Sequence, residues 1–308
     1  MSDERPLVWL PFDREALGSP PDSLRYERFL PEEHDGLPGS VAEVEFYVPA
    51  YRFEPADSEV IRAMPRLKVV QTMTAGVDHV RPYVPEGVLL CNGRGIHNAS
   101  TAELAVGLVI ASLRGFPGFV RSQDRGEWRP IRARSLADRT VLIVGYGAIG
   151  EAIEERLDGF EVEIVRVARS ARDGVHGFDE LERLLPQADV VILIVPITEE
   201  TRGMVDREFL GRMKDQALLV NVARGPVVDT DALVEALHSG RIHAALDVTD
   251  PEPLPEGHPL WSAPNLLISP HVGGASSAMK PRAHKLVREQ LERFAAGEPL
   301  VNVMAGDY

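Results

Sequence analysis

One cysteine, Cys91, in a chain of 308 residues excludes an intrachain disulfide and any cysteine-based zinc site. No base is recognisable beside it in sequence, so Cys91 reads as a buried structural thiol rather than a nucleophile. Positive charge is also short: 33 lysines and arginines face 47 aspartates and glutamates, a net charge of -14. A DNA or RNA surface needs the opposite balance, so nucleic acid is disfavoured as a partner. Small anions are not, because a few local arginines can capture a phosphate or carboxylate inside an acidic protein. Long apolar runs are missing too. The strongest, such as Val190 to Val195, have the length of a strand and fall far short of the ~20 residues that span a bilayer. The charged start, Met1-Ser2-Asp3-Glu4-Arg5-Pro6, has no signal-type apolar stretch after it, which reads as a cytoplasmic protein without a membrane partner. No pair of histidines or carboxylates shows ligand spacing on one element, so no metal is expected.

What is present is an ordinary globular composition, 44% hydrophobic and 26% charged, in a chain long enough for two domains. Short apolar segments at Leu7 to Leu10, Val44 to Val48, Leu67 to Met73 and Val88 to Cys91 read as strands, and Pro55 to Met64 has helical spacing. A long helix follows, with Ser100 or Thr101 as its cap, Glu103 early and Leu104, Leu108 and Ala111 on one face. The polar stretch Arg121 to Asp138 reads as a connection. Beyond Arg139 strands and helices alternate regularly. Strands are expected at Val141 to Val144, Val162 to Val167, Val190 to Val195, Leu218 to Val222, Ala244 to Val248 and Leu266 to Ser269. Helices are expected at Ile149 to Leu157, Leu181 to Leu185 and Asp231 to Ser239, the last closed by Gly240, and an amphipathic helix at Ala278 to Ala296. Several of the strands are apolar throughout, as parallel strands covered on both faces are.

Gly145-Tyr146-Gly147-Ala148-Ile149-Gly150 is a G-x-G-x-x-G placed directly after a strand and opening a helix. The first glycine makes the tight turn, the second lets backbone approach a pyrophosphate, and the third allows close packing of helix on strand. The helix start adds free N–H groups and a positive dipole end. The spacing alone is weak, and the strand-loop-helix context carries the reading of a dinucleotide site over a plain glycine turn or an S-adenosylmethionine site. An NAD site has an acid at the end of the next strand, about 20 residues on, for the ribose 2′-hydroxyl. Here Ala168 stands in that place, followed by Arg169, Ser170 and Arg172. Arginine binds a 2′-phosphate that an acid would repel, so NADP(H) is favoured over NAD(H). The bland alternative is that both arginines are solvated loop charges.

Reduction of a 2-oxo acid needs a group for the carboxylate, a group to polarise the carbonyl and an acid for its oxygen. Arginine suits the first two and histidine the last. Arg224 follows one strand, Asp247 and Glu252 the next, and His271 the last, and the carboxyl ends of strands in an open α/β sheet share one crevice. On spacing alone Glu252 is as easily an exposed turn acid, with Asp250 its competitor. His97, His243, His258 and His284 read as structural or surface residues.

In these segments, and in Pro196-Ile197-Thr198-Glu199-Glu200-Thr201-Arg202-Gly203, the chain resembles the D-isomer-specific 2-hydroxyacid dehydrogenase family, glyoxylate/hydroxypyruvate reductase type, over about residues 65 to 303. The resemblance implies that His271 is the acid/base and that Glu252 is the carboxylate keeping it protonated. It implies that Arg224 holds the substrate and that Ala75, Gly76 and Val77 offer backbone N–H groups to the substrate carboxylate. On the cofactor side it implies Thr101, the glycine loop, Arg169, Ser170, Arg172, Val195, Pro196, Thr201, Val222, Ala223, Asp247, His271 and Gly273, with Asp247 at the nicotinamide carboxamide. The implied fold is α/β: two Rossmann-like or flavodoxin-like domains with doubly wound parallel sheets and a cleft between them. The expected division is a substrate domain from residues 1–96, a dinucleotide domain from 97–275, and 276–308 returning to the substrate domain. Family habit implies a homodimer. Departures from the family pattern are Ala168 and a weak match over the first sixty residues. The chain ends near Asn302 with no regulatory extension of the phosphoglycerate dehydrogenase kind, which turns the expectation away from serine biosynthesis. The rival readings are an NAD-linked D-2-hydroxyacid (D-lactate type) dehydrogenase and a dinucleotide-sensing interaction protein of the same fold, such as a transcriptional corepressor.

Overall fold

A computed structural model of the chain describes residues 4–51 and 58–304. Two compact units divide the chain: Met1–His97 with Ser277–Tyr308, and Asn98–Ser276.

In the first unit, β1 (Leu7–Leu10), β2 (Arg25–Arg28), β3 (Val44–Tyr47), β4 (Val69–Gln71) and β5 (Leu89–Cys91) form one sheet in the order β2-β1-β3-β4-β5, every pair parallel. This is the flavodoxin-like 2-1-3-4-5 order. Successive side chains on a strand point to opposite faces. Accordingly Val8, Leu10, Phe46, Val69 and Cys91 enter one core, while Leu7, Trp9, Val44, Tyr47, Val70 and Leu90 enter another. Helix α8 (Met279–Ala296) closes the first core with Met279, Ala283, Val287 and Leu291, one residue per turn. Helix α1 (Ser58–Arg62) supplies Val60 and Ile61 to the second, and residues 55–57 of the expected helix lie outside the described residues.

Cys91 is fully buried in the first of these cores, and burial pushes its thiol up to about 11. That is the environment of an inert structural thiol. Strand β2 has no counterpart in the sequence reading. Its residues, Arg-Tyr-Glu-Arg, lack an apolar alternation because it lies at the sheet edge, where charges discourage further strand pairing.

The second unit is a six-stranded parallel sheet in the order β11-β10-β9-β8-β6-β7. Its strands are β6 (Thr140–Val144), β7 (Glu163–Val167), β8 (Val190–Leu193), β9 (Leu218–Asn221), β10 (His243–Leu246) and β11 (Leu266–Ile268). A single parallel bridge from Val167 to His176 marks one more strand position outside β7. With it the order is 3-2-1-4-5-6-7, the doubly wound 3-2-1-4-5-6 arrangement with one further strand at its end, and it reverses between β6 and β8. The two faces again divide by alternation. Leu142, Val144, Val191, Leu193, Leu219, Ala244 and Leu246 share a core with α5 (Leu181–Leu184), α6 (Arg207–Arg212) and α7 (Thr230–His238). Val141, Ile143, Val190, Ile192, Leu218, Val220 and Ala245 meet α2 (Asn98–Arg114) and α4 (Ala148–Leu157).

Most expected elements of this unit stand within a residue or two of their reading. Helix α2 starts at Asn98, so Ser100 and Thr101 lie inside its first turn instead of capping it, and Glu103 falls beyond that turn. Both hydroxyls bond sideways, Ser100 to the Ser276 hydroxyl at 2.6 Å and Thr101 to the Gly273 carbonyl at 3.2 Å. The stretch read as a connection begins as helix α3 (Phe116–Asp124), and α6 has no counterpart in the sequence reading; both are short and polar on one side. Among the described residues no single helix is long and apolar enough to cross a membrane.

Ile143, fully buried on β6 against α2 and α4, tests the two-faced packing. Ile143→Ala is expected to cost ~2–5 kcal/mol in urea unfolding. A loss below ~1 kcal/mol would mean that the side chain is not enclosed as described.

Candidate active site

The strands of the second unit are parallel, so every loop after a strand emerges at the same end of the sheet. The glycine loop follows β6, the Pro196 segment β8, Arg224 β9, Asp247 to Glu252 β10, and His271 β11. The register pairs Asn221 with Leu246 and Leu246 with Ile268, so the last three loops leave side by side. At about 4.8 Å per strand, the backbones carrying Arg224 and His271 start roughly 10 Å apart, within reach of one small substrate between two long side chains.

His271 is placed by unusual means. Its φ is +51°, a left-handed value that side-chain-bearing residues seldom adopt. The surrounding loop is held from below by Asp247, which is 3% exposed. Asp247 Oδ1 accepts from the Ser269 hydroxyl at 2.6 Å and the Val272 amide at 2.9 Å, and Oδ2 accepts from the Gly273 amide at 2.8 Å. The Asp247 carbonyl takes the His271 amide at 2.7 Å. A Cβ at Gly273 would lie 2.9 Å from Asp247 Oδ2, so a larger residue there would push against this carboxylate. The resemblance places Asp247 at the cofactor carboxamide; in the structure its carboxylate is engaged with the histidine loop.

The ring of His271 turns Nδ1 to Glu252 Oε1 in a close hydrogen bond. Of the two acids weighed in the sequence, Glu252 therefore meets the histidine, while Asp250 offers its carbonyl to the Thr230 hydroxyl. Arg224 is held by Asn221, buried at 1% exposure, whose side-chain oxygen accepts from the Ala223 amide and whose amide donates to the Arg224 carbonyl, both at 3.0 Å. Gly225 then lets this loop touch the next one, since a Cβ would stand 1.9 Å from the Thr249 carbonyl oxygen. Asn221, Gly225 and Ser269 have no site role in the sequence reading. The available signal was a polar residue ending an otherwise apolar buried strand.

The glycine loop fits a dinucleotide. Gly145 has φ +109°, and a Cβ there would fall 2.5 Å from the Ile194 carbonyl oxygen. At Gly150 a Cβ would meet the Gly145 carbonyl at 2.8 Å. At Gly147 a Cβ would meet nothing within 4 Å, and no side chain caps the N-terminus of α4 that begins beside it. Two glycines thus serve the fold and the middle one leaves room above the helix start for a phosphate. Val195, Val222 and Ala223 are buried behind neighbouring loops. Thr201 is buried and donates to the Pro196 carbonyl at 2.6 Å, which folds the Pro196 segment back on itself. Arg169, Ser170 and Arg172 are exposed beyond β7, on the far side of the glycine loop from His271.

In the first unit, the backbone at Ala75 is fixed by the Asn92 side chain, which donates to its carbonyl at 2.9 Å, while Gly93 N donates to the Thr74 carbonyl at 2.7 Å. Gly76 is half-buried and Val77 buried beside them. The four histidines set aside in the sequence are occupied structurally. His97 bonds the Met73 carbonyl at 2.8 Å, and His258 caps a turn by accepting from the Leu260 amide at 3.2 Å. His284 packs on Phe12, and burial pushes His243 down to about 4. Among the described residues no group of three or more His, Cys, Asp or Glu could hold a metal ion.

A doubly wound sheet that presents a phosphate cradle after one strand and a histidine–carboxylate pair after another defines a dinucleotide-binding protein of dehydrogenase type. The chain belongs to the D-isomer specific 2-hydroxyacid dehydrogenase family, whose NAD binding domain matches residues 106–273. It is 37% identical over 259 residues to the glyoxylate reductase of Thermofilum pendens, covering 79% of this chain and 76% of that one. Among solved structures it is similar to a D-isomer specific 2-hydroxyacid dehydrogenase from Xanthobacter autotrophicus Py2 in complex with NADPH and MES. That match has a TM-score of 0.82 and 30% identity, covering 97% and 98% of the two chains. It is also similar to the NADPH-dependent glyoxylate/hydroxypyruvate reductase from Sinorhizobium meliloti in complex with NADP and malonate, with a TM-score of 0.82 and 29% identity over 98% and 97%.

The three loop glycines should separate experimentally. Gly145→Ala is expected to destabilise the protein by ~1–3 kcal/mol or more, as overpacking against fixed backbone does. Gly147→Ala should stay within ~1 kcal/mol of the parent in urea unfolding yet weaken dinucleotide binding in a titration. Unaltered cofactor binding by Gly147→Ala would remove the loop from the cofactor site.

Proposed function

We propose that this protein reduces a small 2-oxo acid of the glyoxylate or hydroxypyruvate kind to the D-2-hydroxy acid, with NADPH favoured as the reductant. The single observation that carries the reading is the pair of Glu252 with His271, whose loop is stapled by Asp247, at the same end of the sheet as the glycine cradle. The names of the relatives, glyoxylate reductase and NADPH-dependent glyoxylate/hydroxypyruvate reductase, point to the same reaction.

A bound reduced nicotinamide supplies a hydride. The chain's own residues do the rest. Arg224 binds the substrate carboxylate with its planar fork and polarises the adjacent carbonyl. Glu252 takes Nδ1 of His271, which fixes the ring's orientation and directs Nε2 to the substrate oxygen as proton donor. The roles implied for Ala75, Gly76 and Val77, amide contacts to the substrate carboxylate, form part of the same proposal. So do the cofactor roles of Thr101, Val195, Pro196, Thr201, Val222, Ala223 and Gly273. NADPH is supported by Ala168 just beyond β7, in the place where an NAD site carries an acid for the ribose 2′-hydroxyl, and by the exposed Arg169, Ser170 and Arg172 after it.

A homodimer and a cytoplasmic location complete the reading. For the dimer, the support is a 16-residue stretch, 116–131, with five exposed large apolar side chains: Phe116, Phe119, Val120, Ile131 and Trp128, the last 96% exposed. Monomers rarely leave such a concentration uncovered.

Three measurements test the proposal. Oxidation of NADPH and NADH is followed with glyoxylate, hydroxypyruvate and pyruvate, and fast NADPH oxidation with the first two is expected. His271→Ala should lower turnover by about 10²–10⁴-fold with NADPH binding nearly intact; near-normal turnover would sink the acid/base role. For the assembly, Trp128→Glu should shift the mass measured by light scattering from two chains to one, and a parent protein that is already a monomer would exclude the dimer.

A further inference from the structure

Three arginines lie within seven residues at the end of β7, and their partners differ. Arg166 donates through Nε to Glu154 at 2.6 Å and pairs with the same carboxylate through a second nitrogen. Arg169 donates through Nε to Glu200 at 3.1 Å. Arg172 has no ion pair among the described residues. Its guanidinium donates to the Tyr146 carbonyl at 2.6 Å and lies 5.8 Å from the centre of the Tyr146 ring. Arg166 lies against the same ring at 5.7 Å, and the Tyr146 hydroxyl donates to Glu154 at 2.5 Å. Tyr146 is the second residue of the glycine loop, so this brace ties Arg172 directly to the cradle. The backbone of Arg172 is fixed as well. It exchanges both hydrogen bonds with Val175 across the tight Asp173-Gly174 turn, where Gly174 has φ +69°.

We infer that Arg172, braced by Tyr146, is the main reader of the cofactor's 2′-phosphate, and that Glu200 limits both Arg169 and the preference for NADPH. The inference rests on the NADPH reading above. Arg172 offers an uncompensated positive charge whose side chain and backbone are already ordered, so little ordering entropy is lost on binding. A phosphate reaching Arg169 must compete with a carboxylate that holds the guanidinium and repels the incoming charge. Glu200 lies in the loop after β8, two strands away from Arg169. It acts as a specificity-setting residue: its charge narrows the gap between NADPH and NADH.

Dissociation constants for NADPH and NADH are to be measured by fluorescence titration at fixed ionic strength for the wild type, R172Q, R169Q, E200Q and the R169Q/E200Q pair. For R172Q the expected result is NADPH binding weakened by about tenfold or more with NADH changed less than about twofold. R169Q should cost NADPH less than about threefold, and E200Q should tighten NADPH about two- to fivefold, a gain absent from the double variant. An R169Q loss equal to or larger than that of R172Q, or an E200Q variant with unaltered NADPH binding, overturns the inference while leaving the NADPH reading in place. A wild type that binds NADH as tightly as NADPH removes that reading, and the inference falls with it. NADH binding in every variant serves as the control for folding of the site.

Discussion

The buried carboxylate of Asp247 organises the reactive end of the second unit. A polar group with so little contact with water must find hydrogen-bond partners inside the protein, and Asp247 finds three on one loop. Those bonds hold the chain at His271 in a left-handed conformation that costs of order 1–3 kcal/mol and persists only where the surroundings over-determine it. The side chain then leaves the loop in a direction an extended backbone would not give, toward Glu252. Remove the staple and the histidine is still present in sequence, but its loop loses three of the bonds that set its backbone. Thr101 adds a second tether from α2 to the same loop through the Gly273 carbonyl.

The linear order of strands does the remaining positioning. From β7 through β6 and β8 to β9, β10 and β11, the loops present in turn the arginines, the phosphate cradle, the Pro196 turn, Arg224, Glu252 and His271. The sheet works as a ruler on which an extended ligand can be laid out, with the arginines and the glycine loop toward one end and the His271–Glu252 pair at the other. This arrangement depends on covering both faces of the sheet equally, since alternate residues of β6, β8 and β9 belong to opposite cores. Ligand contacts are thereby left to the loops, and the strands are free to be uniformly apolar.

Much of this was legible in the sequence for that reason. Strands such as Val190–Leu193 are apolar on both faces, and the glycine loop sits between a strand and a helix whose patterns are unambiguous. What escaped was whatever lacks a periodic apolar signal. Strand β2 is an edge and is charged, α3 is two and a half turns on the surface, and the true start of α2 at Asn98 has no side-chain signature. At the site, residue types left Glu252 and Asp250 open as the histidine's neighbour; the family resemblance chose Glu252, and it is Glu252 that meets His271. The staple by Asp247 and the pairing of Arg169 with Glu200 join residues 25 and 31 positions apart in the chain, which no local pattern encodes.

The lone thiol has a practical side. Cys91 is sealed in the first unit's core and its thiolate is suppressed by burial, so the folded chain is almost silent toward sulfhydryl reagents. A cysteine engineered elsewhere can therefore carry a fluorophore or spin label on an otherwise natural background. The buried one becomes a clock: its rate of modification counts the openings of the unit that does not hold the glycine loop.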